Sequence, residues 1–205
     1  LDYDVDLVIH LAGLSGVRDS LDNPVDYWTN NVVATYRVFK QFDKGPKILY
    51  ASSSTAYEPW RNPYAMSKHY METIAPHNAL AMRFTTVYGP GAREQMLIPK
   101  ILKNDVDYIN VDHSRDFIHI DDILTAIGTL IVNPIPRKPK FVDVGTGVSN
   151  NLLDILSHLN MEVKDKRMGT IFERKDNKAS IGTLTKMGWM PQTNLLDYLK
   201  ENYDN

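Results

Sequence analysis

Three short apolar runs, separated by helix-length amphipathic stretches, constrain this chain more than any other feature of its sequence. Asp6–Ala12 (DLVIHLA) is apolar, partly β-branched and ends at Gly13, the pattern of a buried parallel strand. Asn23-Pro24 then opens a helix to about Phe42, with Val25, Trp28, Val32, Tyr36 and Phe39 at helical spacing. Gly45-Pro46 stops it. Lys47–Ser52 (KILYAS) is a second strand, Tyr64 to about Ile74 a second helix, and Ala79–Phe84 (ALAMRF) a third strand. Strand and helix in alternation predict an α/β fold built on a doubly wound, Rossmann-type parallel sheet with right-handed crossovers. At 205 residues and 43% hydrophobic content, the chain can bury a core of that kind.

Beyond Tyr88-Gly89-Pro90-Gly91 the rhythm loosens. A helix is expected around Met96–Leu102, an extended piece near Tyr108–Val111, a helix over Asp121–Val132 and a strand at Lys140–Val144 before Gly145. The tail predicts helices near Leu152–Leu159 and Leu195–Glu201, joined by a polar, Lys-rich stretch of loop and short strand. Residues 1–88 are therefore read as one part of the doubly wound sheet. Residues 89–205 are mainly a smaller α/β region, with 116–147 returning to that sheet.

Composition excludes several classes. A net charge of −2 with scattered basic residues offers no field for nucleic acid or an anionic membrane. With no cysteine there is no disulfide framework and no thiolate site, and no His or carboxylate cluster has ligand spacing, so no metal is expected. Apolar runs such as Leu7–Leu11 are too short to span a bilayer, and no charged leader with an apolar stretch opens the chain. A cytoplasmic protein is the expectation. His10 and His119, in apolar strand-like settings, are expected to be buried structural residues rather than ligands.

The sharpest local feature is Tyr64-Ala-Met-Ser-Lys68 at a helix start. Residues four apart share a helical face, so phenol and ammonium point into the same space. A nearby cation favours phenolate, which suits Tyr64 as a general base with Lys68 as its electrostatic partner. Tyr and Lys at this spacing also occur by chance on surface helices, and Ser52-Ser53-Ser54 could simply form a strand-to-loop turn. The serines, however, end a predicted buried strand, and ligands of open α/β sheets lie beyond the carboxyl ends of their strands.

Taken in order, His10-Leu-Ala-Gly13, Asn30-Asn31-Val32, Ser52-Ser53, Tyr64-x-x-x-Lys68, Arg83-Phe84-x-x-Val87-Tyr88-Gly89-Pro90 and Arg115-Asp116-Phe117 resemble the extended short-chain dehydrogenases/reductases that act on nucleotide sugars. The resemblance runs from about Asp6 to about Tyr198. It implies NAD as cofactor, with Ala12, Gly13, Asn31, Ser52, Tyr64 and Lys68 on the cofactor side. It implies residues 1–88 as a partial dinucleotide-binding Rossmann domain carrying Ser53, Tyr64 and Lys68 as the catalytic group, and residues 89–205 as mainly a substrate-binding region. A nucleotide-diphosphate sugar would be the substrate, with Arg115 on the diphosphate, where a guanidinium fork is suited. A homodimer through the helices Asn23–Phe42 and Tyr64–Ile74 is a further expectation from the resemblance.

Two segments are similar to those of uronate-sugar 4-epimerases: Gly16-Val17-Arg18-x-Ser20-Leu21-x-Asn23-Pro24, and Arg83 to Arg93 with Thr86 where Asn is commoner. That subgroup implies Arg18, Ser53, Ser54, Thr86 and Arg93 as further substrate contacts, the hydroxyls and Arg93 around a sugar carboxylate and Arg18 on the diphosphate. The implied activity is inversion of C4 through a 4-keto intermediate on a UDP-uronate or UDP-hexose. A reductase or decarboxylase on the same scaffold, or a non-catalytic nucleotide-sugar-binding protein, are the alternatives. Related dehydratases carry an acidic pair where this chain has Ser54 and Thr55, which argues against dehydration.

The sequence departs from the family pattern in two places. No G-x-x-G-x-x-G turn is present, and the first predicted strand corresponds to the fourth of the complete fold. The sheet is thus expected to be incomplete, with about sixty residues of the family's opening supplied by an upstream segment of the same gene or, as the alternative, by a second chain. The link between Ser53 and Tyr64 is also short, and Glu58-Pro-Trp-Arg-Asn-Pro63 must close it. Gly145-Thr-Gly147 is expected to be a turn, Trp189 and Pro191 to pack structurally, and the role of Asp143 is open.

Overall fold

A computed structural model describes residues 4–203. The chain divides into two compact units. Of the described residues, the first comprises 4–84, Gly128–Asp143 and Phe172–Arg174; the second comprises Thr85–Ile127, Val144–Ile171 and 175–203.

In the first unit the predicted strands form one sheet, in the order Leu7–His10, Lys47–Ser53, Ala79–Phe84, Phe141–Val144. The first three pair in parallel, with Leu7 opposite Lys47 and Ile48 opposite Ala79. Hydrogen bonds from Ala81 N to Lys140 O and from Thr85 N to Val144 O advance in step, so the fourth strand is parallel too. A parallel strand covered on both faces needs apolar side chains pointing both ways, which is why KILYASS can serve. Ile48, Leu49 and Tyr50 are fully buried, and Phe39, Met71, Ala79 and Ala81 complete the core around Ile48 and Tyr50. Lys47 at the strand's start caps the end of helix Ile120–Val132, its ammonium reaching the carbonyls of Leu130, Ile131 and Asn133. That places a cation at the negative end of the helix dipole.

The helical stretch Pro24–Phe42 differs from a uniform 3.6-residue helix. Trp28–Val33 is π-helical, and the Ala34 N–H bonds back five residues to Thr29 O. A wider turn realigns the faces. Tyr27, Asn31, Val32, Thr35 and Phe39 point inward, whereas Val25, Trp28 and Tyr36, expected in the core stripe, are exposed together with Val33. A separate short helix, Val17–Asp22, precedes it.

The second unit is built around Tyr88, Ile98, Ile101, Phe117, Ile155, Leu156 and Leu199. Short strands pair Thr86–Tyr88 with Phe117–His119 and Tyr108–Asn110 with Asp165–Arg167, both in parallel. Ser114–Arg115 pairs antiparallel with Asn150–Asn151. Helices Leu97–Leu102, Leu152–His158, Gly182–Lys186 and Leu195–Tyr203 surround them; that at Gly182 was not expected from the sequence. Trp189 is buried and its indole N–H donates to Thr125 Oγ1 at 2.9 Å. Gly145–Gly147 is a turn wrapped on the buried Asp116 carboxylate, which accepts from the N–H groups of Thr146, Gly147 and Ala179 and from the Thr146 hydroxyl. Among the described residues no helix is long and apolar enough to cross a membrane.

Candidate active site

Strand Lys47–Ser53 delivers the serines to its carboxyl end. Ser53, extended at φ −149° and ψ 149°, caps a 3₁₀ turn over Ser54–Tyr57. Its Oγ accepts from Thr55 N at 3.2 Å and from Thr55 Oγ1 at 3.0 Å. With both lone pairs engaged, its proton is left to be donated outward. A second 3₁₀ turn, Pro59–Arg61, follows. The carboxylate of Glu58 binds the guanidinium groups of Arg61 and Arg174 (the latter at 3.1 Å), and Arg174 also donates to Ser54 O at 2.6 Å. Burial alone would raise the Glu58 pKa, but the two arginines hold it below the usual carboxylate range. The short link is thereby folded into two tight turns and ion-paired in place.

Asn62 then starts helix Pro63–Thr73. Its Oδ1 accepts from Ala65 N at 2.7 Å, Pro63 sits in the first turn, and Asn62 Nδ2 donates to Phe172 O at 2.8 Å. Tyr64 lies in that first turn and Lys68 one turn later. Lys68 is only 4% exposed, and its ammonium donates to Ala51 O at 2.9 Å, two residues before Ser53. The same nitrogen is 6.0 Å from the centre of the Tyr64 ring, against which Tyr27 packs edge-on. Burial pushes the Lys68 pKa down to about 8, because the charged form loses its hydration.

The loop after Leu7–His10 reaches the same lysine. Ala12 and Gly13 are exposed there. Gly13 has φ +152°, and a Cβ on it would lie 2.8 Å from Asn31 Oδ1 and 3.5 Å from Lys68 Nζ. Asn31, fully buried, clamps the next residue: its Oδ1 accepts from Leu14 N at 2.7 Å while its Nδ2 donates to Leu14 O and Ser67 Oγ. The structure thus gathers Gly13, Asn31, Lys68 and Tyr64, with Ser53 tied in through the Lys68–Ala51 bond. An exposed, Cβ-free backbone beside a buried ammonium fits the nicotinamide end of a dinucleotide. Gly13, Tyr64 and Lys68 could hold it, with Asn31 fixing the loop that follows Gly13. His10, expected to be buried, is half-buried and bonds Thr35 Oγ1 at 2.8 Å.

Other predicted residues are engaged differently. The Ser52 hydroxyl donates to Glu72 Oε1 at 2.5 Å, into a buried network rather than toward Gly13. Arg18 is exposed and pairs with Glu173 at 3.4 Å. Ser54 is buried. Thr86, Arg93 and Arg115 belong to the second unit. Thr86 Oγ1 accepts from Asn177 Nδ2 at 3.1 Å. Arg93 is exposed beside Met96. Arg115 donates to Ser114 O and Lys175 O, and lies 3.1 Å from His113 Nδ1.

Sequence reasoning missed a buried polar network under the serines. Arg83 forms a bidentate pair with Glu72, at 2.8 Å (Nε) and 2.5 Å (Nη2), and its guanidinium lies between the rings of Tyr57 and Phe141. The Tyr57 hydroxyl meets the Asp143 carboxylate at 3.0 Å, and burial followed by Asp143 raises the Tyr57 pKa, keeping it a neutral phenol. A lone arginine inside ALAMRF, and Glu72 four residues beyond Lys68, were the available signals.

A parallel sheet with a hydroxyl at a strand end and a Tyr/Lys pair on the following helix defines a dinucleotide-dependent class of enzyme. Comparison with known proteins narrows it. The NAD dependent epimerase/dehydratase family matches residues 1–145. The UDP-glucuronate 4-epimerase of Thermodesulfobacterium geofontis is 30% identical over 234 aligned residues, covering 97% of this chain and 71% of that protein. The UDP-glucose 4-epimerase of Yersinia enterocolitica is 25% identical, covering 97% and 75%. Among solved structures, UDP-glucuronic acid 4-epimerase from Bacillus cereus, in complex with UDP-glucuronic acid and NAD, superposes with a TM-score of 0.80 at 26% identity, covering 98% of this chain and 75% of that one. The chain belongs to the NAD dependent epimerase/dehydratase family, an enzyme family whose cofactor is NAD.

Proposed function

We propose that the protein inverts C4 of a UDP-uronate, interconverting UDP-glucuronate and UDP-galacturonate through a 4-keto intermediate. The observation that carries this reading is the gathering of Tyr64, Lys68 and the end of strand Lys47–Ser53 around one ammonium–carbonyl bond. NAD, when bound, supplies the reversible hydride acceptor for the sugar's C4. The chain's own residues manage the proton and the oxygen. Tyr64 as phenolate takes the proton of the C4 hydroxyl, supported by the Lys68 charge. Ser53, its oxygen saturated by Thr55, donates to the same sugar oxygen as it becomes a carbonyl. The motifs they occupy support Arg115 and Arg18 as contacts of the diphosphate, and Thr86, Arg93, Ser53 and Ser54 as contacts of the sugar carboxylate.

Ser54 and Thr55 offer no carboxylate to expel water, and the nearby Glu58 is neutralised by two arginines. Epimerisation is therefore favoured over dehydration. The test is incubation of the full-length protein with UDP-glucuronate and NAD, read by proton NMR. Growth of UDP-galacturonate toward equilibrium supports the reading; a dehydrated, decarboxylated or unchanged sugar refutes it.

The exposed apolar stripe supports a homodimer. Val25, Trp28, Val33 and Tyr36 lie along one helix and Met66 and Tyr70 on another, with Trp28 and Tyr70 rings 5.0 Å apart. A patch of this composition on two adjacent helices suits self-association.

A further inference from the structure

Thr86, Asp116 and Asn177 form a closed ring of hydrogen bonds in the second unit. The Thr86 N–H donates to Asp116 O at 2.9 Å, and the Asp116 N–H donates to Asn177 Oδ1 at 2.7 Å. Asn177 Nδ2 completes the ring by donating to Thr86 Oγ1 at 3.1 Å. Asp116 is fully buried and its carboxylate is occupied by Thr146, Gly147 and Ala179, so its backbone N–H is fixed in direction.

The polarity of the ring is forced. A backbone N–H can only donate, so the atom of Asn177 facing it is the carbonyl oxygen, and the amide nitrogen must face Thr86. An amide nitrogen cannot accept, so Thr86 Oγ1 is the acceptor of that bond. The hydroxyl proton is thereby turned away from Asn177, and among the described residues no acceptor meets it. Asn177 is 7% exposed, whereas Thr86 is half-buried and retains access to solvent.

We infer that Asn177 is a positioning residue that fixes the Thr86 hydroxyl as a hydrogen-bond donor, and so tunes the site for an acceptor-only, anionic group on the sugar. The inference rests on the uronate reading above. A hydroxyl free to rotate serves an alcohol or a carboxylate equally; one locked as donor favours the carboxylate.

The test is a double-mutant cycle on the full-length protein with NAD present, reading Kd for UDP-glucuronate and UDP-glucose by calorimetry. Asn177→Leu should weaken UDP-glucuronate about tenfold, the loss of one well-aligned charge-assisted hydrogen bond, and UDP-glucose less than about twofold. In a Thr86→Val background the same change should move UDP-glucuronate by less than about twofold. Equal losses in both backgrounds, or equal losses for both nucleotides, would show a merely structural residue and overturn the inference. Should Asn177→Leu not fold, Asn177→Asp preserves the shape and gives the same cycle, its added charge cancelling between the two backgrounds. An intact protein that binds UDP-glucose as tightly as UDP-glucuronate sinks the uronate reading instead. In that event coupling between positions 86 and 177, read with UDP-glucose, still decides whether Asn177 governs Thr86: coupling upholds the positioning role and its absence overturns it.

Discussion

Lys68 is the point at which electrostatics and stability can be separated by experiment. Its ammonium is buried and donates to Ala51 O, and burial lowers its pKa from 10.5 to about 8. A folded-state pKa below the unfolded one means that the unfolded chain binds the proton more tightly. Between about pH 8 and 10.5 the unfolded state therefore holds more protons, and stability rises with pH across that window. At about 1.4 kcal/mol per pK unit, the charged lysine costs the folded state about 3 kcal/mol at pH 7. Most of that cost is gone by pH 10, leaving a gain of about 2–3 kcal/mol between the two pH values. Lys68→Met keeps the stem's volume and removes the titration. Urea unfolding of both proteins at pH 7 and 10 gives the difference directly, since other groups titrate in both. Because the Tyr64 ring lies 6.0 Å from the Lys68 ammonium, the pair should be compared in a Tyr64→Phe background. We expect the stability of the lysine form to climb by about 2–3 kcal/mol relative to the methionine form from pH 7 to 10. A difference constant within about 0.5 kcal/mol would refute a desolvated, shifted Lys68.

Three further outcomes follow from the same geometry. Glu72→Leu strands the buried Arg83 guanidinium and should lower unfolding free energy by about 3–5 kcal/mol in urea, with Arg83→Met added to it recovering most of the loss; a single-variant loss under about 1 kcal/mol would contradict this. Gly13→Ala puts a Cβ against Asn31 Oδ1 at positive φ, and NAD affinity by calorimetry should fall about tenfold or more; unchanged affinity removes Gly13 from the cofactor site. Trp28→Glu should convert the expected homodimer to monomer in sedimentation at micromolar concentration, and a native protein that already sediments as a monomer excludes the dimer.

The sheet was legible in the sequence because its signal is local. A strand covered on both faces must be apolar along its length, so Leu7–His10, Lys47–Ser53, Ala79–Phe84 and Phe141–Val144 all lie within two residues of the runs that announced them. Tyr64 and Lys68 were legible for the same reason, since helical spacing alone puts them on one face. What failed was whatever depends on a distant partner or an irregular turn. The π-helical segment Trp28–Val33 shifts which side of its helix is buried, and nothing in WTNNVV distinguishes it from an ordinary helix. Ser52 looked like a cofactor contact until Glu72 and Arg83, from the next helix and strand, claimed its hydroxyl's surroundings. Asn177 is 91 positions from Thr86 and 61 from Asp116, in a polar stretch whose composition says only loop.

The most direct test is Tyr64→Phe in the full-length protein, with turnover and UDP-glucuronate affinity measured side by side. Loss of only the phenolic oxygen should abolish C4 inversion, by about a thousandfold or more, while Kd changes by less than about twofold. Inversion that persists at near-native rate in the phenylalanine variant would contradict the assignment of Tyr64 as the base.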